Sequence, residues 1–262
     1  CIRDSIESIQ RIQTTEEAER LGLSAYAALI DELRPLTPEQ WETMTVCAPW
    51  TVADMVRHLI GAAKANASMR EMARQQIHAT RGKAAFGGNA LDAQNALQVD
   101  DHRPLGPAEL ISELDAVYPD SVRTRTRRSR LYDRIHVPID AGGSTATGMP
   151  EKLSLGRLFR VIYTRDVWLH RIDIARALGH KPRMDESVDR RIVEDVVKEW
   201  ADRHGRPFDL RLSGEAGGHY RRRGNGPTIE LDAVEFCCIL SGRAEPAPRV
   251  GGTDLLTQRV LF

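Results

Sequence analysis

Apolar residues recur at intervals of three and four along the N-terminal two thirds of the chain, which predicts a mainly helical region. The first periodic segment runs from Thr15 to Leu33, and Thr15 is a plausible N-cap. Thr51 and Asp54 have the spacing of a capping box and open a second long helix. A third, strongly periodic segment, Leu155 to Leu178, ends at a glycine that is soon followed by proline, as expected at a helix stop.

Shorter patterns lie between these helices. Residues 37–41 predict a short capped helix that carries Trp41, and Pro107 starts a helix that continues through Val117. Glycines and few apolar anchors between Thr80 and Pro107 predict a loop with at most a broken helix. The stretches 123–130, rich in arginine, and 135–149, rich in glycine and proline, are expected to be irregular or to form a hairpin.

The pattern changes in the last third of the chain. One more helix is predicted from Asp185, and apolar and polar positions then alternate at 208–213, as in a β-strand. Residues 219–231 predict a hairpin around Gly-Asn-Gly, and Asp232 caps a helix that ends at Ser241 and Gly242. We therefore expect an α+β protein with a helical domain at 1–182 and a small α+β domain at 183–262.

Composition narrows the functional classes. The 37 lysines and arginines balance 37 aspartates and glutamates, so no overall field favours nucleic acid or an anionic membrane. No stretch approaches the roughly 20 apolar residues of a membrane span, and the first residues lack the apolar core of a secretory signal. Because the sequence begins with Cys1 rather than methionine, we expect a short leader to be missing. A small-molecule partner is the expectation, and oligomeric state has no signal.

The four cysteines, Cys1, Cys47, Cys237 and Cys238, form no Cys-x-x-Cys pair, which favours a reduced, cytoplasmic setting. None has a histidine or basic residue beside it in sequence, so Cys47 and the adjacent pair are interpreted as small apolar residues rather than nucleophiles. Trp41 and Trp50 are interpreted as packing anchors, Trp168 is expected to lie off the ligand face, and the arginine-rich stretch is interpreted as a solvated face.

One pair of residues suggests chemistry. Asp166 and His170 are four apart on a predicted helix, so their side chains leave one face about one turn apart and can share a cation. His58, beside the apolar stripe of another long helix, can supply a third ligand. Two histidines and one carboxylate match the ligand count of a catalytic zinc site with one open position. The same spacing also occurs in surface ion pairs, and the His-Glu-x-x-His pattern of zinc proteases is absent.

Five segments carry a resemblance to a known family: LTPEQW at 36–41, CAPWTVADMVRHL at 47–59, RDVWLHRIDIARALG at 165–179, IELDAVEF at 229–236 and LSGR at 240–243. The chain resembles the mycothiol-dependent maleylpyruvate isomerases, within the DinB-like superfamily of metal-binding bundles. This resemblance implies a DinB-like four-helix bundle followed by a small sterol-carrier-like α/β domain. It covers most of the chain in order, with its weakest part from Thr80 to Met149.

The resemblance implies that His58, Asp166 and His170 bind a divalent metal ion, with zinc expected. The characterised isomerase has a glutamate where this chain has Asp166, which is shorter by one methylene. Arg243 matches a C-terminal arginine implicated in the family's activity and could hold a substrate carboxylate through two hydrogen bonds. Its other interpretation is a solvated arginine after a helix.

The chemistry implied is that of an enzyme, an isomerase or thiol transferase, that uses mycothiol and a metal ion on a small electrophilic substrate. A different class also fits, a non-catalytic metal-containing protein that binds a small molecule. A metal-assisted hydrolase would need a general base, for which Asp173 is the candidate on the ligand face. These alternatives stay open at the level of sequence.

Overall fold

The computed structural model of the chain describes residues 2–3, 5–138, 152–247 and 250–262. The described residues form two compact units. The first contains residues 15–138 and 152–182, and the second contains the described parts of 2–14 and 183–262. The predicted α+β class, a helical bundle followed by a small α/β unit, is confirmed. Within the described part of the chain, none of the helices has both the length and the apolar character that crossing a membrane requires.

The first unit is built almost entirely from helices. In chain order they are α1 (Thr15–Leu33), α2 (Pro38–Trp41), α3 (Val52–Ala67), α4 (Met69–Gly82), α5 (Ala90–Asp101), α6 (Pro107–Ser129), α7 (Leu155–Arg157) and α8 (Tyr163–Ala177). The long helices α1, α3, α6 and α8 pack as a bundle around an apolar core that includes Leu29, Val56, Leu59 and Leu114. A short antiparallel ladder joins β2 (His136–Pro138) to β3 (Lys152–Ser154).

The capping signals placed the site-bearing helices correctly. The backbone N–H of Asp54 donates to the Thr51 hydroxyl at 3.2 Å, so α3 begins where the sequence predicted. The predicted helix from Leu155 to Leu178 is also confirmed, with a π-helical segment, Leu158–Ile162, between α7 and α8. Such wide turns are frequent near functional sites, and this one ends four residues before Asp166.

The prediction of a loop between Thr80 and Pro107 was wrong. Helix α5 occupies residues 90–101 and packs on α3 and α4. The side-chain oxygen of Asn89 accepts hydrogen bonds from the N–H groups of Leu91 and Asp92 at 2.9 and 3.2 Å, which is a standard N-cap. The helix was missed because it buries only a narrow set of side chains, so the apolar period is weak.

The prediction for the arginine-rich stretch was also wrong, because α6 continues through it to Ser129. Arg123, Arg127 and Arg130 are exposed as expected, whereas Arg125 is buried. Its guanidinium donates to the carbonyl of Phe159 and to the Thr164 hydroxyl, so a cation inside the bundle is hydrogen-bonded. Burial lowers the pKa of Arg125 to about 10, although nearby tyrosines and Asp166 oppose the shift. For the stretch 135–149, β2 pairs with β3, and the rest lies outside the described residues.

The second unit has a four-stranded sheet in the order β1–β5–β4–β6 and two main helices. The elements are β1 (Ile2–Arg3), α9 (Asp189–His204), β4 (Phe208–Ser213), β5 (Gly218–Arg222), β6 (Thr228–Asp232), α10 (Ala233–Ser241) and α11 (Thr253–Leu256). Strand β4 alternates as predicted, and Asp232 caps α10 through hydrogen bonds from the N–H groups of Val234 and Glu235.

The predicted hairpin around Gly224-Asn225-Gly226 was wrong. In the described sheet β4 lies between β5 and β6, and it pairs antiparallel with the first and parallel with the second. The glycine segment instead passes over the start of β4, where a side chain on Gly226 would meet the carbonyl oxygen of Pro207 at 2.1 Å. Glycine is needed there because the two backbones approach so closely.

The sequence-based division at 182 assigned residues 1–14 to the bundle, but the described residues among them group with the second unit. Ile6, Ile9 and Ile12 are buried, and the guanidinium of Arg11 contacts Asp195 and Glu199 of α9, each at 2.9 Å. The backbone N–H of Ile12 donates to Asp195 as well. These contacts explain the grouping, since buried carboxylates are costly unless they are paired.

Candidate metal centre

Two helices of the bundle bring the three predicted ligands together. His58 lies two turns into α3, and Asp166 and His170 lie one turn apart in α8. Both histidines are buried, whereas the Asp166 side chain keeps 27% of its surface exposed. The position of α3 is fixed by its capping box and apolar stripe, and that of α8 by its own buried face. The cluster is therefore mostly enclosed but reachable from solvent beside Asp166.

The distances suit a common ion. His170 Nε2 lies 3.3 Å from Asp166 Oδ1, and His58 Nε2 lies 3.9 Å from Asp166 Oδ2. One ligand atom from each of the three residues lies within 4.8 Å of the others. Ligands about 2.0–2.2 Å from a zinc ion are separated by such distances in a tetrahedral arrangement. The structure thus brings together the residues that the sequence proposed, and the donor set fits a divalent metal ion.

The other ring nitrogen of each histidine is already engaged. His58 Nδ1 lies 2.8 Å from the side-chain oxygen of Gln98, and His170 Nδ1 lies 3.1 Å from Asp173 Oδ2. An acceptor at Nδ1 requires a proton there when the imidazole is neutral, which leaves the lone pair of Nε2 facing Asp166. Metal-binding histidines nearly always have such a partner on the second nitrogen. This pairing supports the metal centre more strongly than the spacing of the residues does.

The charges of the cluster stabilise one another. Burial alone would raise the pKa of Asp166, but attraction and hydrogen bonding from His170 and His58 lower it far below its usual range. Burial alone would lower the pKa of His170, but Asp166, with help from Asp173 and Cys47, raises it well above the ordinary value. In the metal-free protein the Asp166 carboxylate and the His170 imidazolium therefore form an ion pair, whose proton a metal would displace.

Cys47 lies beside the centre, contrary to its interpretation as a small apolar residue. Its side chain is half-buried, and Sγ donates to Asp173 Oδ2 at 3.6 Å. Cys47, Asp173 and His170 form a second group of potential ligands that shares His170 with the first. Asp173 contacts Nδ1 of that ring, whereas Asp166 contacts Nε2. The interpretation is confirmed for Cys237 and Cys238, which are fully buried on α10.

The sequence missed two neighbours of His58. Gln98 was overlooked because α5 was not predicted, and a glutamine among polar residues gives no signal of its own. Trp50 was interpreted as a packing anchor, but it is half-buried and its ring lies against His58 with 5.0 Å between centroids. Trp41 is buried as expected, and Trp168 is buried as well. The Cys47–Trp50 segment before α3 therefore forms one side of the centre.

The two residues predicted to be catalytic occupy different places. Asp173 is fully buried and contacts the Nδ1 side of His170, away from the converging Nε2 atoms. Arg243 belongs to the second unit, where it directly follows α10 and its backbone N–H donates to the carbonyl of Cys238 at 2.8 Å. It is half-buried there.

The fold and the donor set define a helical-bundle protein with a candidate metal centre of two imidazoles and one carboxylate. Residues 23–175, more than half of the chain, match the family described as mycothiol maleylpyruvate isomerase N-terminal domain. The chain belongs to this family. No curated protein matches the chain.

Two solved structures share the fold. The first is a crystal structure of the mycothiol-dependent maleylpyruvate isomerase, with 15% identity, a TM-score of 0.54 and 95% of each chain covered. The second is a histidine-to-alanine mutant of the mycothiol-dependent maleylpyruvate isomerase, with 14% identity, a TM-score of 0.52 and 92% of each chain covered. At these identities the similarity concerns the fold, and it extends over both units.

Proposed function

We propose that this protein is a metal- and mycothiol-dependent enzyme, an isomerase or thiol transferase that acts on a small electrophilic substrate in the cytoplasm. The observation that carries the proposal is the convergence of the Nε2 atoms of His58 and His170 on the carboxylate of Asp166. Membership of the family supports the thiol cofactor. The donor set, two nitrogens and one oxygen, favours zinc among the common divalent ions.

Each residue of the centre has a distinct part in this proposal. A divalent ion would supply a Lewis acid that lowers the pKa of a thiol, so that thiolate is available at neutral pH. His58, Asp166 and His170 would hold the ion, while Gln98 and Asp173 orient the two rings. Trp50 covers one side of His58, and the exposed part of Asp166 leaves a path for thiol and substrate.

The reaction follows from the chemistry of a thiolate and a conjugated double bond. Addition of the thiolate turns the double bond into a single bond, about which the adduct can rotate, while the displaced electron pair moves onto the conjugated carbonyl as an enolate. Return of that pair expels the thiolate and restores the double bond in the other geometry, which is isomerisation. If the sulfur stays bound and the enolate carbon takes up a proton from water, the outcome is transfer. We propose that Arg243 binds a carboxylate of the substrate, a role for which a guanidinium is well suited.

The hydrolase alternative fits the geometry less well. Its general base would be Asp173, but this carboxylate is fully buried and accepts hydrogen bonds from both His170 and Cys47. A base must reach the proton of an activated water, and Asp173 faces the opposite side of the His170 ring from the ligand atoms. Asp173 is better suited to orienting His170.

Metal content tests the ligand assignment. The purified protein should bind one divalent ion per chain, and His58→Ala and His170→Ala should each lose it. His180→Ala is the matched control, because His180 is an exposed histidine of the same unit with 44% of its side-chain surface accessible. Full occupancy in both of the first two variants would exclude the site.

Cobalt substitution tests the thiol. Mycothiol added to the cobalt(II) protein should produce thiolate-to-metal absorbance, whereas a non-catalytic binding protein would show a filled site that never accepts the thiol. Cys47→Ser must give the same band, because the Cys47 thiol is close enough to His170 to produce one itself. Arg243→Ala should keep the metal and the band but lose turnover.

A further inference from the structure

A chain of buried amides leads away from the metal centre on the far side of His58. Gln98 accepts from His58 Nδ1 at 2.8 Å and donates through Nε2 to Gln75 Oε1 at 2.7 Å. Gln75 Nε2 in turn donates to the carbonyl oxygen of Gly61 at 3.0 Å and to Glu71 Oε1 at 2.9 Å. Gln75 and Gln98 are buried, so water does not compete for these bonds.

The orientation of the two amides is fixed where Gln75 meets Gly61 and Glu71, at the end of the hydrogen-bond network far from His58. A backbone carbonyl can only accept a hydrogen bond, and so can the Glu71 carboxylate, whose pKa is lowered first of all by its hydrogen bond from Arg74. The amide nitrogen of Gln75 must therefore face Gly61 and Glu71, and its oxygen must face Gln98. The amide nitrogen of Gln98 then faces Gln75.

The hydrogen bond between Gln98 and His58 determines which ring nitrogen of His58 carries the proton. With its nitrogen turned to Gln75, Gln98 presents only its oxygen to His58, so Nδ1 of a neutral His58 must carry the proton. Nε2 is left as a lone pair directed at Asp166. A flip of the Gln98 amide would put a donor against Nδ1 and move the proton to Nε2, where it would block a metal. A flip of the Gln75 amide would favour that change by turning a donor toward the Gln98 nitrogen.

The backbone is shaped to permit this contact. A Cβ on Gly61 would lie 2.5 Å from the Cβ of Gln98, so α5 can approach α3 this closely only because residue 61 is glycine. Helices α4 and α5, which supply Gln75 and Gln98, are each capped at their start by a side chain, Ser68 and Asn89. Two helices outside the four-helix core thus present a single oxygen to His58.

We infer that Gln98 and Gln75 are positioning residues that fix the ligating tautomer of His58 through a one-way amide relay anchored on the Gly61 carbonyl. The inference rests on the metal centre proposed above and assigns a function to α4 and α5. Gln75 touches none of the three ligands in this scheme, and its effect reaches the metal only through the orientation of Gln98.

The relay can be tested without metal. Long-range proton–nitrogen spectra of the metal-free protein at about pH 8.5, where an ordinary imidazole is neutral, show which ring nitrogen carries the proton. Wild type should have the proton of His58 on Nδ1. In Gln75→Leu the Gln98 amide loses its fixed direction, so a substantial fraction of His58 should carry the proton on Nε2. His170, held by Asp173, should be unchanged and serves as an internal control.

Gln94→Leu is the matched variant. Gln94 lies one turn before Gln98 on α5 and also donates to Gln75 Oε1, at 3.2 Å, but its removal leaves the bonds that set direction. Its His58 spectrum should therefore equal that of wild type. If Gln75→Leu did not fold, Gln75→Met would replace it. An unchanged His58 tautomer in the folded variant overturns the relay, and so does an equal change in Gln94→Leu.

Metal affinity provides the second measurement. Competition with a chelator should show a loss of about 10- to 100-fold in Gln98→Leu and about tenfold in Gln75→Leu, as for other partners of metal-bound histidines. Gln94→Leu should stay within about twofold. A wild-type chain that binds no metal, while Gln75→Leu still moves the proton, would reject the proposed function and leave the relay standing. Normal metal affinity in Gln75→Leu would reject the relay alone.

Discussion

The two histidines of the centre present the same nitrogen to Asp166, but they are oriented by different means. His170 is held by Asp173, a buried carboxylate one turn further along the same helix, whereas His58 is held by the neutral amide of Gln98 on another helix. A carboxylate makes the imidazole more basic, while an amide chiefly fixes its orientation. One site can therefore combine a charged partner that is close in sequence to its histidine with a neutral partner that is distant in sequence.

Removal of the charge on the His170 side should have the largest effect. Asp173→Asn keeps the shape of the side chain and an oxygen for Nδ1 but makes His170 a weaker base. We expect metal affinity to fall by about 10- to 100-fold. Chelator competition measures the loss, with Asp185→Asn, an aspartate of the other unit, as the control. Unchanged affinity would mean that the two partners are equivalent.

The pH dependence should reveal the charged partner. Asp166, together with Asp173 and Cys47, raises the pKa of His170 against the opposing effect of burial, so a proton must leave before a metal binds. Affinity should therefore rise by about tenfold per pH unit wherever metal-free His170 is protonated. Isothermal titration at stepped pH measures this slope, and a flat profile would contradict the ion pair.

The stability of the metal-free protein should change in the opposite direction. A raised folded-state pKa stabilises the fold fully below the unfolded value of about 6.5, and this contribution is lost as the pH rises through the folded value. Thermal unfolding of metal-free protein should thus show a falling midpoint above about pH 7. The metal-loaded protein should lack this decrease.

The contact of Gln98 with His58 should depend on how closely α5 packs against α3. Gly61→Ala places a methyl group against Gln98, which should cost about 1–3 kcal/mol of unfolding free energy and weaken metal binding several-fold. Gly82→Ala is the control, since a Cβ there meets only the far end of His78 at 4.0 Å. Denaturant unfolding and chelator competition give both quantities. Loss of stability without loss of affinity would show that α5 can shift without releasing His58.

Substitution of Cys47 should have the smallest effect. Cys47→Ser keeps a donor to Asp173, so we expect metal affinity to change by less than about threefold, in line with the modest net worth of one hydrogen bond. Loss of stoichiometric metal in this variant would instead place the ion on the Nδ1 side of His170, with Cys47 and Asp173 as its other ligands.

The same contrast explains what the sequence could predict. Asp166 and His170 are close in sequence, and the cap at Thr51 and the apolar stripe of α3 are strong signals. The sequence pattern therefore predicted the helices that carry the ligands, and the resemblance predicted that the three residues converge. Gln98 could not be predicted, because α5 has a weak apolar period and the function of this residue depends on tertiary contacts.

The prediction of the hairpin in the sheet failed for a related reason. Gly-Asn-Gly between two strands is typical of a hairpin, but strand order depends on long-range pairing, which a turn signal does not determine. Here β4 lies between β5 and β6 and pairs with both, so residues 224–226 connect two strands that are not adjacent in the sheet. The strands themselves, with their alternating residues, were predicted within a few positions.

The grouping of residues 2–14 with the second unit has a consequence for biosynthesis. The strand β1 pairs with β5, and Arg11 contacts the acids of α9, so the smaller unit is made from segments that precede and follow the bundle in sequence. During translation the N-terminal segment of this unit is synthesised before the bundle, and it can pack against α9 and the sheet only after the whole bundle has emerged from the ribosome. The bundle can mature early, and a cut at residue 182 would leave the other unit without its first strand.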